Sequence, residues 1–533
     1  MSMLTRREKL LAFAGILIVL FLASLNLTVV GTALPRVIAE LDGFDLYAWA
    51  FTAFAITSTI TLPIYGRLSD IYGRKRITLL GIVLFSIGSA LCGLAQSMIE
   101  LVVFRAVQGL GGGALIGMTW SLLGDIFTAR ERGKYQGFTG AVFGISAVIG
   151  PIVGGLITDT LGWRWVFFVN LPVALLAFAF IARTIPPTQQ LKRSSVDYAG
   201  TLLLTAGITP LLLAFTWGGV EHSWSSPVIL VLIGASVLLL GAFAVWQFKA
   251  PAPILDPELF RDPTFNVANV AGFLTAVGLF GAVIFLPLYV QGVQGGSAAA
   301  SGFVLTPLML GIVVSGSISG ILVSRTGRYK PYIVAGVIIM IAAFYLTSGL
   351  GPETPLWLAT AYMILLGIGI GPTNALFVLA VQNAQPLERL GSVTGATIFF
   401  RQIGGTLGVA LFGGVIVAAL RKHLGSELPG ELERLPPHLL EDLASPNLLT
   451  NPAALARAQQ EFAGVVEPPV FAALIDGLRS ALSDGLSVVF LLAAAISGLA
   501  LMATWLLPPL ELRDERAPAA PIGSQRDAAG EGE

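Results

Sequence analysis

The sequence predicts an all-α integral membrane protein of fourteen transmembrane helices, arranged six plus two plus six. Three observations predict it. Apolar runs long enough to cross a bilayer recur from end to end of the chain. Hydrophobic residues make up 55% of the 533 and charged residues only 12%, a balance that excludes one water-soluble core. A short basic stretch occurs twice, at residues 66–76 and, less perfectly, at 320–330, as expected of two related halves.

Residues 66–76 read Gly-Arg-Leu-Ser-Asp-Ile-Tyr-Gly-Arg-Lys-Arg. Gly66 and Gly73 allow a tight reversal and close backbone approach. Arg67, Arg74, Lys75 and Arg76 place that reversal on the cytoplasmic side. Asp70 stands alone among them, a ready ion-pair partner at a helix end. In the second copy Gly320, Leu322, Gly327, Arg328 and Lys330 keep register, but Ser324 stands where Asp70 would be. An imperfect repeat of this kind in a membrane chain suits a transporter built from two halves.

The first span is expected over 10–34, with polar Asn26, Thr28 and Thr32 inside it. It lacks an A-x-A cleavage pattern and reads as a retained helix. The second covers 47–65 and the third ends near 95. The fourth, 101–123, carries Arg105 with Gln108 on the same face, then three glycines at 111–113. Arg105 either snorkels to the interface one turn away or faces a partner; the cost of an intramembrane arginine makes the second reading the default. Asp125 closes this span.

The fifth span, 135–156, carries Gly144, Gly150, Pro151, Gly154 and Gly155. Small residues four apart admit a neighbouring helix, and Pro151 predicts a kink. Tight packing alone and a moving contact are both readings; the proline favours the second. Trp163 and Trp165 fit an outer interfacial belt ahead of the sixth span. Spans seven and eight, within 198–248, enclose a loop where Glu221 and His222 read as solvated, not catalytic.

The remaining spans are expected over 265–290 and 299–323, then from Tyr332, from Leu356, from Ser392, and over 486–507. The span from Leu356 holds Asn374; that from Ser392 holds Arg401 and Gln402. Three units follow: a first six-helix bundle (1–185), two inserted helices (186–262) and a second bundle (263–509). Within the last, 421–484 is expected as an extracytoplasmic loop with surface segments near 453–465 and 470–482, and 510–533 as a disordered cytoplasmic tail. The basic turns follow spans two and ten, eight apart, which an inserted pair of helices explains.

Positive charge sits in alternate loops, from Arg6, Arg7 and Lys9 through 66–76, 130–134, Lys192 and Arg193 to Lys330. The opposite loops hold little beyond Arg36 and Arg164, which puts both termini in the cytoplasm. A formal net charge of zero argues against a nucleic-acid partner. One cysteine, Cys92, and three scattered histidines argue against a disulfide or a metal site. No G-x-x-x-x-G-K-[ST] loop is present, so no ATP is expected. Neither is a cofactor beyond a proton gradient. The partners expected are lipophilic small molecules and the bilayer, with the chain a monomer.

These motifs resemble the major facilitator superfamily and, within it, the fourteen-span drug–proton antiporters that include EmrB-like and QacA-like exporters. The likeness spans nearly the whole chain: the turn at 66–76, the fourth-span motif around Arg105, the fifth-span motif over 144–155, and the stretches 25–35 and 163–172. The resemblance implies a major facilitator fold in the cell membrane and multidrug efflux by two bundles rocking about a central site. Gly66, Asp70, Gly73, Arg74, Arg76 and Asp125 would form a cytoplasmic gate near the start of the eleventh span, the one from Tyr332. Gly144, Gly150, Pro151, Gly154 and Gly155 would form the contact between bundles. Arg105, Gln108 and Arg401 would hold the buried charge linked to coupling. Asn26, Thr28, Trp120, Asn374 and Gln402 would line the substrate cavity.

One departure stands out. Relatives of this kind usually carry an aspartate in the first span where this chain has Asn26, and an amide does not titrate. The expected map puts no Asp or Glu deep in any span. That leaves room for neutral or anionic substrates, for protonation at Asp125 or Glu221, or for a lipid or cell-envelope metabolite exporter without proton coupling. A membrane enzyme would need a buried nucleophile–base or metal constellation, which the sequence does not display. A sensor that transports nothing should tolerate loss of the Gly150–Pro151 contact.

Overall fold

Long apolar runs broken by glycine, proline and charge fold into helices because only helices satisfy their own backbone groups inside a bilayer. The computed structural model describes residues 5–41, 47–186, 197–218, 222–251, 253–296, 298–386, 389–427 and 468–508, with a few between 449 and 459. In chain order the helices are α1 Arg6–Leu41, α2 Tyr47–Tyr72, α3 Arg74–Leu94, α4 Met98–Ile126, α5 Ala129–Thr160, the short α6 Arg164–Phe168 and α7 Asn170–Thr184. A further pair, α8 Tyr198–Trp217 and α9 Pro227–Gln247, follows. Then come α10 Pro263–Leu288, α11 Ala298–Thr326, α12 Lys330–Thr347, α13 Leu356–Ala384, α14 Leu390–Glu427 and α15 Pro468–Trp505. The described residues form no strand; Gly218 and His222 make an isolated bridge. Among them, 12 helices are long and apolar enough to cross a membrane; α2, rich in serine and threonine, and glycine-rich α5 are not in that set.

Several borders differ from expectation. The turn at 66–76 is mostly helix, because α2 runs on through Gly66 and Asp70 to Tyr72. Only Gly73 makes the reversal, at φ 91°, a left-handed conformation that L side chains rarely adopt. Gly327 repeats this in the second copy at φ 71°. The loop expected over 421–484 is shorter at both ends: α14 continues to Glu427, and α15 begins at Pro468. The surface segment expected near 470–482 is therefore the first half of the last helix. Its alternation of apolar and polar residues is the face α15 turns to Tyr289–Val293, a π-helical turn closing α10, and to α14. Most of the segment near 453–465, most of the loop and the tail at 510–533 lie outside the described residues.

Helices α1–α7 pack among themselves, as do α10–α15. The two groups meet chiefly along α5 with α11 and α2 with α14. Glycine makes the closest crossings possible. A Cβ at Gly111 would overlap the backbone of Phe85 on α3, and one at Gly113 would overlap Thr61 on α2. Gly367 and Gly371 bring α13 equally close to α11. Gly111→Val is therefore expected to lower stability by about 3 kcal/mol, since the obstacle is backbone that cannot turn aside. Thermal unfolding of the detergent-solubilised protein checks this; an unchanged midpoint would show the crossing to be loose.

The pair α8 and α9 is fastened by one buried carboxylate. Asp197 accepts from Gly200 N (2.7 Å), Trp246 Nε1 (2.8 Å) and Gln247 Nε2 (2.9 Å). Gln247 Oε1 then accepts from Leu255 N at 3.0 Å, turning the chain toward α10. That linker reaches the turn before α14, where Arg389 pairs with Asp256 (3.1 Å) and Glu258 (3.0 Å). Of the expected aromatic belt, Trp165 is exposed, but Trp163 is buried and donates to Glu40 Oε2 at 2.9 Å. His222 packs edge-on to Trp217; Glu221 lies outside the described residues.

Candidate functional site

At the end of the bundle that carries the basic turns, the two groups of helices are tied by Asp70. Its Oδ1 accepts from Gly391 N (3.0 Å), and its Oδ2 accepts from Ser392 N (2.8 Å) and Ser392 Oγ (2.6 Å). These are the first-turn donors of α14, which no preceding helical residue can satisfy. Asp70, at the end of α2, thus caps a helix of the other group, where a carboxylate also meets the favourable end of the helix dipole. Arg74 completes the cluster: Nη2 donates to Asp70 Oδ1 at 3.3 Å, and Nη1 pairs with Asp125 at the end of α4. All but Asp125 are buried, and it is nearly so.

The cluster does not lie at the helix from Tyr332, where it was expected, but at α14. Asp70 sits on the face of α2 that crosses α14, where Gly66 meets the Gly391 carbonyl and Gly395 meets Leu62. Gly66 is thus a close-approach residue and no part of the reversal. Arg76 is exposed and stands outside the cluster; Lys75 donates to the Ala182 carbonyl at 2.6 Å. The related position in the second half is also explained. Ser324 Oγ donates only to Ile321 O in its own helix (2.7 Å). The helix symmetry would have it cap, α5, caps itself: Thr128 Oγ1 accepts from Glu131 N (3.3 Å), and Thr128 N donates back to Glu131 Oε2 (3.0 Å).

Within the first group, Arg105 is fully buried. Its Nε donates to the Ala50 carbonyl on α2 (2.9 Å), its Nη1 to Gln108 Oε1 (2.6 Å), and its guanidinium lies 4.4 Å from the centre of the Phe54 ring. Gln108 Nε2 donates to Asn26 Oδ1 (3.1 Å), which also accepts from Asn170 Nδ2 (3.4 Å); Asn170 Nδ2 further donates to Ser89 Oγ (3.1 Å). One polar chain therefore links α1, α2, α3, α4 and α7. Among the described residues no carboxylate pairs with Arg105. Asn26, expected in the substrate cavity, belongs to this sealed network instead, because Gln108 and Asn170 draw its amide inward.

The second group holds a matching arginine in a more open setting. Arg401 on α14 donates through Nη1 to the Asn374 carbonyl (3.2 Å) and to Asn374 Oδ1 on α13. Its guanidinium lies 5.8 Å from the centre of the Trp120 ring on α4, across the junction between groups. Arg401 and Asn374 line a narrow cleft with Thr275, Thr373, Phe377 and Thr397, with room for about one water molecule. Gln402 is half-buried and absent from that lining; only its carbonyl is engaged, by Thr406 (3.1 Å). The side chains of Thr28 and Pro151 lie outside the described residues. Gly144 packs against Met309 and Val313 of α11, Gly150 and Gly154 are buried, and Gly155 meets nothing close.

The model of the Major Facilitator Superfamily matches residues 16–409, well over half of the chain. The chain belongs to the Major Facilitator Superfamily. Within the superfamily it is 36% identical over 528 residues to the multidrug transporter protein MdtP of Bacillus subtilis, covering 96% of this chain and 95% of that one. It is 33% identical over 480 residues to multidrug resistance protein 3 of the same organism, covering 90% and 91%. Among solved structures, the proton:xylose symporter XylE aligns with a TM-score of 0.59 at 13% identity, over 96% of this chain and 98% of that one. The human organic anion transporter MFSD10 aligns with a TM-score of 0.59 at 14% identity, over 92% and 99%. At these identities the structures show the fold alone. The chain is thus an all-helical multi-pass membrane protein of a transporter superfamily.

Reading motifs of the superfamily missed several partners. Asn170 and Ser89 were visible as polar residues in apolar runs but carried no spacing that links them to Asn26. Ser392 had a clearer signal: α14 begins without an Asn or Asp cap of its own, and Gly391 and Gly395 stand four apart. Gln382 donates to the Trp120 carbonyl (3.3 Å) and to Thr394 Oγ1 (2.9 Å), a further link between groups that no motif marks.

Proposed function

We propose that the chain is a fourteen-span drug–proton antiporter that exports amphipathic, lipophilic small molecules across the cytoplasmic membrane, both termini in the cytoplasm. It works by alternating access: the two bundles rock about a central site, and the cluster at Asp70 shuts the cytoplasmic end. The observation that carries the reading is the cap made across the bundles, a carboxylate of α2 on the start of α14. Such a contact forms and breaks as a unit, which suits a two-state gate. The names of the similar Bacillus proteins support efflux. Counting α2 and α5 with the 12 apolar helices supports fourteen spans.

The experiment is accumulation of the neutral dye N-phenyl-1-naphthylamine by energised inside-out vesicles from pump-deficient cells expressing the chain. Uptake above vesicles that lack the protein, abolished by a protonophore, is the expected result. Uptake that survives the protonophore would remove the proton from the mechanism, and none at all would remove export.

A further inference from the structure

The cleft at Arg401 has a one-sided chemistry. Its three threonines each spend their hydroxyl proton on their own helix: Thr275 on Gly272 O (3.1 Å), Thr373 on Ile370 O (2.8 Å) and Thr397 on Val393 O (2.9 Å). Asn374 turns Oδ1 toward Arg401, which leaves Nδ2 as a donor. Arg401 uses only Nη1 on Asn374, so Nη2 and Nε keep their protons for something else. Among the described residues, no aspartate or glutamate lines the cleft or pairs with Arg401. The rest of the described lining is apolar and includes Phe377; the buried Trp120 ring stands outside that lining, behind the guanidinium.

An arginine inside a membrane bundle pairs with an acidic residue or a backbone carbonyl, and Arg401 has the Asn374 carbonyl for one of its N–H groups. Here the donors converge and the countercharge is missing from the lining, while aromatic surface stands ready beside them. We propose that this cleft is the seat for the acidic head group of a lipophilic anion, a carboxylate or sulfonate held by Arg401 and Asn374 with its rings toward Phe377. In this shut arrangement the cleft has room for about one water molecule, so the head group reaches Arg401, and the apolar body follows, only in the space that opens when the bundles part. The planar guanidinium suits such a group because two parallel N–H donors match two anionic oxygens. The proposal rests on the export reading and adds its substrate class: lipophilic cations are disfavoured by the same unpaired charge.

The test compares two dyes with one skeleton, 1-anilinonaphthalene-8-sulfonate and neutral N-phenyl-1-naphthylamine, with ethidium as the cation, in the same vesicles. Wild-type protein is expected to favour the sulfonate over the neutral dye. Arg401→Gln is expected to reduce that preference by about tenfold or more, the usual worth of a charge-assisted contact. Arg401→Lys keeps the charge and is expected to keep part of the preference, which separates loss of charge from misfolding. An equal ratio in wild type and Arg401→Gln while the neutral dye is still pumped overturns the anion assignment and leaves export standing. Ethidium pumped better than the sulfonate overturns it too. If no dye moves, export itself fails and this proposal with it.

Discussion

Asp70→Asn is expected to spring the gate while the protein stays folded. The carboxylate accepts three hydrogen bonds from Gly391 and Ser392 and a fourth from Arg74, all in a buried site. An amide brings an N–H₂ group against those donors and leaves Arg74 with Asp125 alone. Breaking a buried pair of this kind costs about 3 kcal/mol or more, which moves the balance between shut and open by roughly a hundredfold. Neither bundle loses its own core, because the lost contacts lie between bundles. Ser69→Cys offers a readout: the residue is buried beside Gly391, and the native Cys92 is buried elsewhere. A membrane-impermeant maleimide should label the introduced thiol slowly in the otherwise native protein and much faster with Asp70→Asn, as transport falls. Equal labelling rates would show that the cap does not hold the gate.

Arg105→Ala acts inside one bundle and should fail differently. Removing the side chain strips donors from the Ala50 carbonyl and Gln108 Oε1, empties space beside Phe54, and loosens Asn26 and Asn170 in turn. Unsatisfied buried groups and the void together cost about 3–5 kcal/mol. The expected result is transport lowered by about a hundredfold together with a lower unfolding midpoint, whereas Asp70→Asn should spare that midpoint. Arg105→Lys is expected to rescue little, since an ammonium cannot reach the Ala50 carbonyl and Gln108 with the fixed spread of a guanidinium. Full activity in the alanine variant would leave Arg105 a passenger.

Much of this was legible in one dimension. Gly73, Arg74, Arg105 and Gln108 stand where their chemistry requires, since a left-handed turn or a buried charge leaves few choices of residue. What is not local in sequence was misplaced. Asp70 reads as a charge at a helix end, but which helix it caps depends on packing between residues more than 300 apart. Asn26 reads as a cavity residue until Gln108 and Asn170 are seen to claim it. Trp163 follows the rule for interfacial aromatics, yet its ring is buried and its indole N–H donates to the carboxylate of Glu40. The last helix starts earlier than the sequence suggests because its first half is amphipathic, and the same pattern serves a helix at a membrane surface and one packed on a neighbour. Ser324 shows the converse: a residue absent from the pattern because Thr128 and Glu131 had made it unnecessary.

The unlike caps of α5 and α14 also bear on how the chain is made. Synthesis delivers the first bundle first, and α5 can finish its own start as soon as it leaves the ribosome, with Thr128 and Glu131 already in hand. The start of α14 has to wait. Its missing cap was made 321 residues earlier and sits in a bundle already in the membrane. The second bundle therefore reaches its last helices with bare amide groups that only docking covers. Two bundles made as separate chains would not be equivalent pieces: the first would have its α5 start already capped, and the second would carry an unfinished α14 start until its partner arrived.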